Sequence, residues 1–291
     1  MKNTKIIDLL KKGQDLLKKA GIEKFELNAE ILLAHLLGLK EPGAVLLELD
    51  REVPQEIHDK FISLIKRRLK SEPISYIIGY KHFWNQVYKV NKDVLIPRSE
   101  TELIIEIALK KLQHRKNEKL RMLDLGTGSG CIILSLLSEF KNSCGVAVDV
   151  SDKALRIAKM NADNLQLSHR IKFMQSNWFS ALKKKEKFDL IVSNPPYIAK
   201  GEASDISTLF KEMKVFEPYI AFIDSKDGLK SYKIIAEHSK EFLKKDGMMI
   251  LEINYKRKEL IRNIFESQGY TIKFYKSLQD IYYVSMITHT E

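Results

Sequence analysis

A chain that alternates strand-length apolar runs with amphipathic helical segments has few ways to bury both, and from about residue 120 onward this chain follows that pattern. Strands are expected at 122–125, 145–149, 171–175, 190–193, 248–253, 272–275 and 282–287. Helices are expected at 131–139, 152–164, 232–243 and 256–268. Such an order predicts a doubly wound α/β sheet. The last two strands have no helix between them and predict an antiparallel hairpin at one edge.

Upstream the periodicity changes. Ile6, Leu9 and Leu10, then Leu27, Ile31 and Leu32, then Ile57, Phe61, Leu64 and Ile65 fall at helical spacing, and Pro54 suits the start of the last long helix. A small unit of three to five helices is expected. In residues 71–97, Tyr76, Ile77, Ile78, Phe83, Trp84, Val87 and Tyr88 favour extended structure around Gly79 and Asn85, which predicts a β-hairpin joint. Ser99 with Glu102 three residues on has the capping-box pattern and opens a helix through Leu112. The expected division is a helical domain over 1–74, a hairpin linker over 75–97 and the α/β domain over 98–291.

With 291 residues, 44% of them apolar, the chain can bury a sizeable core, which excludes disordered and fibrous classes. No apolar run approaches the roughly 18 residues of a membrane span, and the opening stretch is amphipathic rather than secretory, so a cytoplasmic protein without a membrane partner is expected. The two cysteines, Cys131 and Cys144, have neither CxxC spacing nor a histidine cluster beside them. They predict buried thiols, with no zinc site and no bound metal. The net charge of +11 would suit an anionic partner, but it is spread thinly, and Lys183-Lys184-Lys185 reads as a solvated loop. No stable nucleic-acid partner is expected, and the chain is read as a monomer.

Chemistry enters at Leu123-Asp124-Leu125-Gly126-Thr127-Gly128-Ser129-Gly130, which leaves the first strand of the array and enters a helix. Glycines there let the backbone approach a nucleotide-like ligand. A dinucleotide fingerprint needs glycine where Cys131 stands, and Asp124 suits an ammonium better than a pyrophosphate. S-adenosylmethionine carries an ammonium and a sulfonium and no phosphate, which makes it the candidate cofactor for Asp124, Gly126, Thr127, Gly128, Ser129 and Gly130. Asp149 ends the second strand, where it can accept both ribose hydroxyls or cap the next helix. Asn177 and Trp178 follow the third strand, where they can border an adenine or simply pack.

The most specific pattern is Asn194-Pro195-Pro196-Tyr197 after the strand ending at Ser193, at the end of a strand that faces the ligand crevice. Adjacent prolines fix the backbone and remove two amide donors, so carbonyls there remain free to accept. A nitrogen conjugated to a π-system is a weak nucleophile. The Asn194 side-chain oxygen and the Pro195 carbonyl can hold its N–H groups, orient it and stabilise the positive charge that develops on it, while Tyr197 offers a flat face.

These residues together resemble the protein-(glutamine-N5) methyltransferases that modify peptide chain release factors. The likeness extends over nearly the whole chain. It includes Leu27 to Gly38 of the helical unit, Glu72 to Gly79 with Phe83-Trp84, and Leu95-Ile96-Pro97-Arg98-Ser99-Glu100-Thr101-Glu102, which is similar to a PRPxTE element. It implies a seven-stranded Rossmann-like class I methyltransferase domain behind a helical domain that contacts the release factor. It also implies S-adenosylmethionine at Gly126 to Gly130, Asp149, Trp178 and Asn194, and a Gly-Gly-Gln glutamine gripped by Asn194, Pro195, Pro196 and Tyr197. His35 is read as packing or capping. Asn-Pro-Pro-Tyr is shared with enzymes acting on nucleic acids, so a nucleic-acid exocyclic amino-group (adenine N6 or guanine N2) methyltransferase is the alternative, and a non-catalytic cofactor-binding protein is a third reading. Ser99, Asn177, Asn254 and the segment 277–281 depart from the family pattern.

Overall fold

The structure, a computed structural model, describes residues 3–204, 215–277 and 280–290. The chain divides into two compact units, one ending at Tyr80 and one beginning at Lys81. In the first, strand β1 (Thr4–Lys5) is followed by helices α1 (Ile6–Lys19) and α2 (Phe25–Leu37), strand β2 (Glu52–Val53), and helices α3 (Gln55–Leu69) and α4 (Ile74–Ile78). Ile6, Leu9, Leu17, Leu32, Phe61 and Ile65 meet at its centre, each fully buried. Buried Arg68 donates from Nε to Asn28 Oδ1 at 2.8 Å, tying α3 to α2. The His35 ring packs 5.9 Å from that of Tyr80, and burial lowers its pKa.

The expectation of extended structure at Tyr76–Ile78 is corrected. These residues form α4, although their side chains are aromatic and β-branched. Pro73 sits at the N-cap with its φ preset, and Gly79 closes the helix at φ +84, so the two ends outweigh the weak strand preference between them. The short antiparallel β1–β2 pair, Thr4 opposite Val53, has too few residues to show a period of two.

Strand β3 (Tyr80–Phe83), which starts on the last residue of the first unit, pairs with β4 (Gln86–Lys89) in a hairpin that opens the second. Helix α5 (Glu102–Leu112) then precedes β5 (Arg121–Leu125), α6 (Cys131–Glu139), β6 (Cys144–Asp149), α7 (Asp152–Asn164), β7 (Ile171–Gln175) and β8 (Phe188–Ser193). After a segment that includes the undescribed residues come α8 (Lys230–His238), β9 (Leu243–Glu252), α9 (Lys258–Glu266), β10 (Tyr270–Lys276) and β11 (Tyr282–His289). The seven strands order as β10-β11-β9-β8-β5-β6-β7. β7, β6, β5, β8 and β9 run parallel, and β11 is antiparallel to both its neighbours, so the final hairpin lies at the edge as expected.

Both faces of the sheet are covered, which is why its central strands read as continuous apolar runs. Met122 packs on the side of α5 and α6 with Ile104, Ile133 and Leu134, whereas Leu123 and Leu125 pack with Tyr232, Ile235 and Phe265. Two further expectations are corrected. The Ser99 hydroxyl donates to Glu100 instead of capping a helix, and Glu102 Oε1 accepts from Trp84 N at 2.7 Å, so the would-be capping carboxylate anchors the hairpin. Cys131 is buried but Cys144, the first residue of β6, is exposed. Asn254 has φ −79 and accepts from Lys256 N at 3.0 Å, a turn that needs no glycine. Within 277–281, residues 278 and 279 lie outside the described residues.

Candidate active site

Strand β5 has β6 on one side and β8 on the other, and the chain crosses from one side to the other, which makes this the switch point where an open α/β sheet binds ligands. The loops leaving β5, β6, β7 and β8 line a cavity of about 630 Å³, within the roughly 300–1,000 Å³ usual for small-molecule sites. Gly126, Thr127, Gly128 and Ser129 form one wall, Asp149 the next, Asn177 and Trp178 a third, and Asn194 with Pro196 a fourth. Asp124, Gly130, Pro195 and Tyr197 stand behind these walls rather than on them.

Asp124 is fully buried beneath the glycine loop. Its Oδ2 accepts from Thr127 Oγ1 at 2.7 Å, and its Oδ1 has no hydrogen-bond partner among the described residues. Burial pushes its carboxyl up to about 7; the Thr127 hydrogen bond opposes that shift and the charge of Asp149 adds to it. Gly130 is required where it stands: at φ +82 an added Cβ would lie 3.0 Å from Leu134 Cδ1 and 3.3 Å from Ala158 Cβ. An added Cβ on Gly126 or Gly128 would instead meet nothing within 4 Å, so the cavity side of the loop is bare backbone. Asp149 holds Gly128 N on Oδ2 and Ser151 N on Oδ1, both at 2.9 Å, while the Ser151 hydroxyl caps α7 by accepting from Ala154 N. The helix cap is therefore made by Ser151, and Asp149 fastens the glycine loop to β6, with lone pairs left over. Trp178 takes φ +53, a costly backbone position for an aromatic residue, and the Ser176 hydroxyl fixes it by donating to Trp178 O at 2.7 Å.

At the end of β8, the Ser193 hydroxyl donates to Leu125 O at 2.6 Å and so locks this strand end to the start of the glycine loop. Pro195 is buried, whereas Asn194 and Tyr197 are half-buried. Two groups to which sequence patterns assigned no role at the site, Thr101 and Glu252, complete this corner. Asn194 Nδ2 donates to Thr101 Oγ1 at 3.2 Å, Thr101 Oγ1 donates to Glu252 Oε2 at 2.5 Å, and the Tyr197 hydroxyl donates to Glu252 Oε1 at 3.1 Å. Glu252 is 3% exposed, and burial pushes its carboxyl up to about 7 against those two hydrogen bonds. Burial and the Glu252 charge raise the Tyr197 hydroxyl well above its usual value. Arg98, on the cavity wall, pairs with buried Glu217 at 2.5 Å, and Glu217 also accepts from Ile96 N at 3.0 Å. Gly228 lies against the loop: at φ +67 its Cβ position is 2.6 Å from Tyr197 O. The signal for Glu252 was a lone carboxylate closing the apolar run Met248 to Leu251; Arg98 and Thr101 stood in the PRPxTE-like element without an assigned role, and Glu217 and Gly228 carried no signal.

A family model described as the PrmC N-terminal domain matches residues 8–79, and one described as the methyltransferase small domain matches residues 101–214. The hMettl16 catalytic domain superimposes with a TM-score of 0.56 at 15% identity, covering 77% of this chain and 92% of that one. A methyltransferase from Pyrococcus furiosus does so at 0.50 and 19% identity, covering 69% and 87%. The second unit thus has the class I methyltransferase fold, with its cavity at the switch point. A release factor glutamine methyltransferase of Caulobacter vibrioides is 36% identical over 259 residues, spanning 89% of this chain and 87% of its own length, and one of Aliivibrio fischeri is 35% identical over 90% and 89%. The chain belongs to the release factor glutamine methyltransferase family. A bifunctional methyltransferase of Rickettsia felis is 40% identical over 94% of this chain, which spans only 56% of that relative.

Proposed function

We propose that this protein transfers a methyl group from S-adenosylmethionine to the side-chain amide nitrogen of the glutamine in the Gly-Gly-Gln motif of peptide chain release factors. The observation that carries this reading is the side-chain amide of Asn194 on the cavity wall, its Nδ2 engaged by Thr101 and its Oδ1 left to accept. Likeness to release factor glutamine methyltransferases over 89–90% of this chain supports the substrate class.

The donor set suits this cofactor. The bare backbone of Gly126 and Gly128 leaves room for a ligand, and Asp149 can accept ribose hydroxyls beside its backbone contacts. Trp178 and Asn177 offer a face and an amide to an adenine. The unpartnered Oδ1 of Asp124 is a buried acceptor whose electrostatic cost a cationic ligand relieves. When bound, S-adenosylmethionine supplies an electrophilic methyl group and leaves as S-adenosylhomocysteine. The chain itself holds the acceptor nitrogen: Asn194 Oδ1 on the wall and the Pro195 carbonyl beside it take its two N–H groups, and Pro196 bounds its plane. Positioning and charge stabilisation of this kind need no strong base.

The test is incubation with methyl-labelled S-adenosylmethionine and an unmethylated release factor, with nucleic acid as a parallel acceptor, followed by peptide mass spectrometry. Label on the Gly-Gly-Gln glutamine is expected. Label on nucleic acid alone replaces this reading with the amino-group alternative.

A further inference from the structure

We infer that Thr101 and Glu252 are positioning residues that set which end of the Asn194 side-chain amide meets the substrate, an inference that rests on Asn194 being the substrate's acceptor. Hydrogen-bond direction fixes the order of these groups. A carboxylate only accepts, so the single hydroxyl proton of Thr101 goes to Glu252 Oε2, 2.5 Å away. The Thr101 oxygen then has only lone pairs to offer Asn194, which must present its NH2 end, and it does so at 3.2 Å. Asn194 Oδ1 is thereby turned to the other side, and among the described residues no hydrogen bond is made to it. Glu252 Oε1 takes the Tyr197 hydroxyl in the same way, so one buried carboxylate orients both ends of the Asn-Pro-Pro-Tyr turn. The Tyr232 hydroxyl donates to the Glu252 backbone carbonyl at 3.0 Å and holds the strand end in place.

The chain has a direction only while Glu252 is ionised. Once protonated, its carboxyl becomes a donor. It can then give its proton to Thr101, whose hydroxyl is freed to donate to Asn194, and the amide turns its NH2 end toward the substrate. An N–H aimed at an N–H cannot bind the glutamine nitrogen. Several groups bear on that ionisation: Arg98 and Glu100 ahead of α5, Cys131 at the start of α6, Tyr197 after β8, Tyr232 on α8 and Tyr283 on β11. Arg98 favours the ionised form and Glu100 opposes it. Burial dominates and brings the group to about 7, where physiological pH can change its state.

The test uses the full chain and two independent readouts. Thr101→Val keeps the shape of the side chain and removes the hydroxyl, and Thr101→Ser restores it. With release factor as acceptor, Thr101→Val should lower kcat by about 10–100-fold, by analogy with misplaced reacting groups. Calorimetry should find S-adenosylmethionine affinity within about twofold of wild type, and Thr101→Ser should recover most of the rate. Wild-type kcat should fall as pH drops through about 7, and Glu252→Gln should flatten that limb. The second readout needs no substrate: the Asn194 side-chain ¹⁵N–¹H resonances, assigned by their loss in Asn194→Ser, should shift with pH through the same midpoint in wild type and not in Thr101→Val. Unchanged kcat in Thr101→Val, equal loss in Thr101→Ser, or Asn194 resonances that ignore this titration overturns the inference. Wild-type protein that labels no release factor while the resonances titrate as described overturns the substrate assignment and leaves the positioning chain standing.

Discussion

Gly228→Ala is the sharpest single perturbation of the Asn-Pro-Pro-Tyr turn, because the clash it creates falls on the turn's own backbone. Ile198 pairs with Ile223 in an isolated bridge, and the bends at 225–228 bring Gly228 against Tyr197. Alanine there suffers twice. The position has φ +67, which costs an L-residue about 1–2 kcal/mol. Its Cβ would also lie 2.6 Å from Tyr197 O, where a carbon normally approaches no closer than about 3.3 Å, so the carbonyl must retreat by about 0.7 Å. Overpacking of this kind costs roughly 1–3 kcal/mol, and together the two effects come to roughly 2–5 kcal/mol. Because the displaced atom belongs to the turn that carries Asn194 and Pro195, kcat should fall by about 10–100-fold. Gly269→Ala is the control in the same unit: its φ is +73, but its near neighbour is the flexible end of Lys240, at 3.1 Å. It should show the backbone cost alone and keep full activity. Denaturant unfolding and steady-state methyl transfer read both. A Gly228→Ala protein as stable and as active as the Gly269→Ala protein refutes the reasoning.

Three other expectations follow from the same geometry. Asn194→Ala removes an acceptor for the substrate amide and should lower kcat by about 10²–10³ with little change in cofactor affinity; wild-type turnover in that variant contradicts its role. Asp149→Ala should raise the S-adenosylmethionine dissociation constant by about 10–100-fold in calorimetry, since hydrogen bonds to a charged group are worth roughly 1.5–3 kcal/mol, and an effect confined to kcat speaks against a ribose contact. For Asp124 the folded pKa of about 7 lies above the ordinary 3.8, so the stability it contributes is complete below about pH 3.8 and lost as pH rises through 7, a difference on the order of 4 kcal/mol. Asp124→Asn should flatten the unfolding free energy across that window in the ligand-free protein, and an unaltered pH profile refutes the burial argument.

The sheet was legible because its signal is local. A central strand buried on both faces, such as β5 or β8, is a continuous apolar run, while edge strands such as β10 alternate, and all seven strands overlap the positions expected for them. The glycine loop and Asn-Pro-Pro-Tyr were legible for the same reason, each being one short segment with an uncommon backbone demand. What escaped was held by contacts remote in sequence or by end effects. Thr101 and Glu252 stand 151 residues apart, and neither residue type is unusual in its own neighbourhood. Asn161, fully buried on α7, joins the hairpin and the glycine loop by donating to Lys89 O and Ser129 O, yet within its helix it looks like any polar residue. At Tyr76–Ile78 the side chains favoured a strand, and the flanking Pro73 and Gly79 decided otherwise. Asp124 was singled out as a ligand carboxylate on spacing alone. Its place beneath the loop, with one oxygen unpartnered, could come only from the packing.

The most direct measurement is a structure of the protein bound to S-adenosylhomocysteine and an unmethylated release factor. The account predicts the glutamine amide nitrogen within about 3 Å of both Asn194 Oδ1 and the Pro195 carbonyl, with Asn194 Nδ2 still on Thr101. A glutamine seated elsewhere in the cavity, or an Asn194 amide turned the other way, contradicts it.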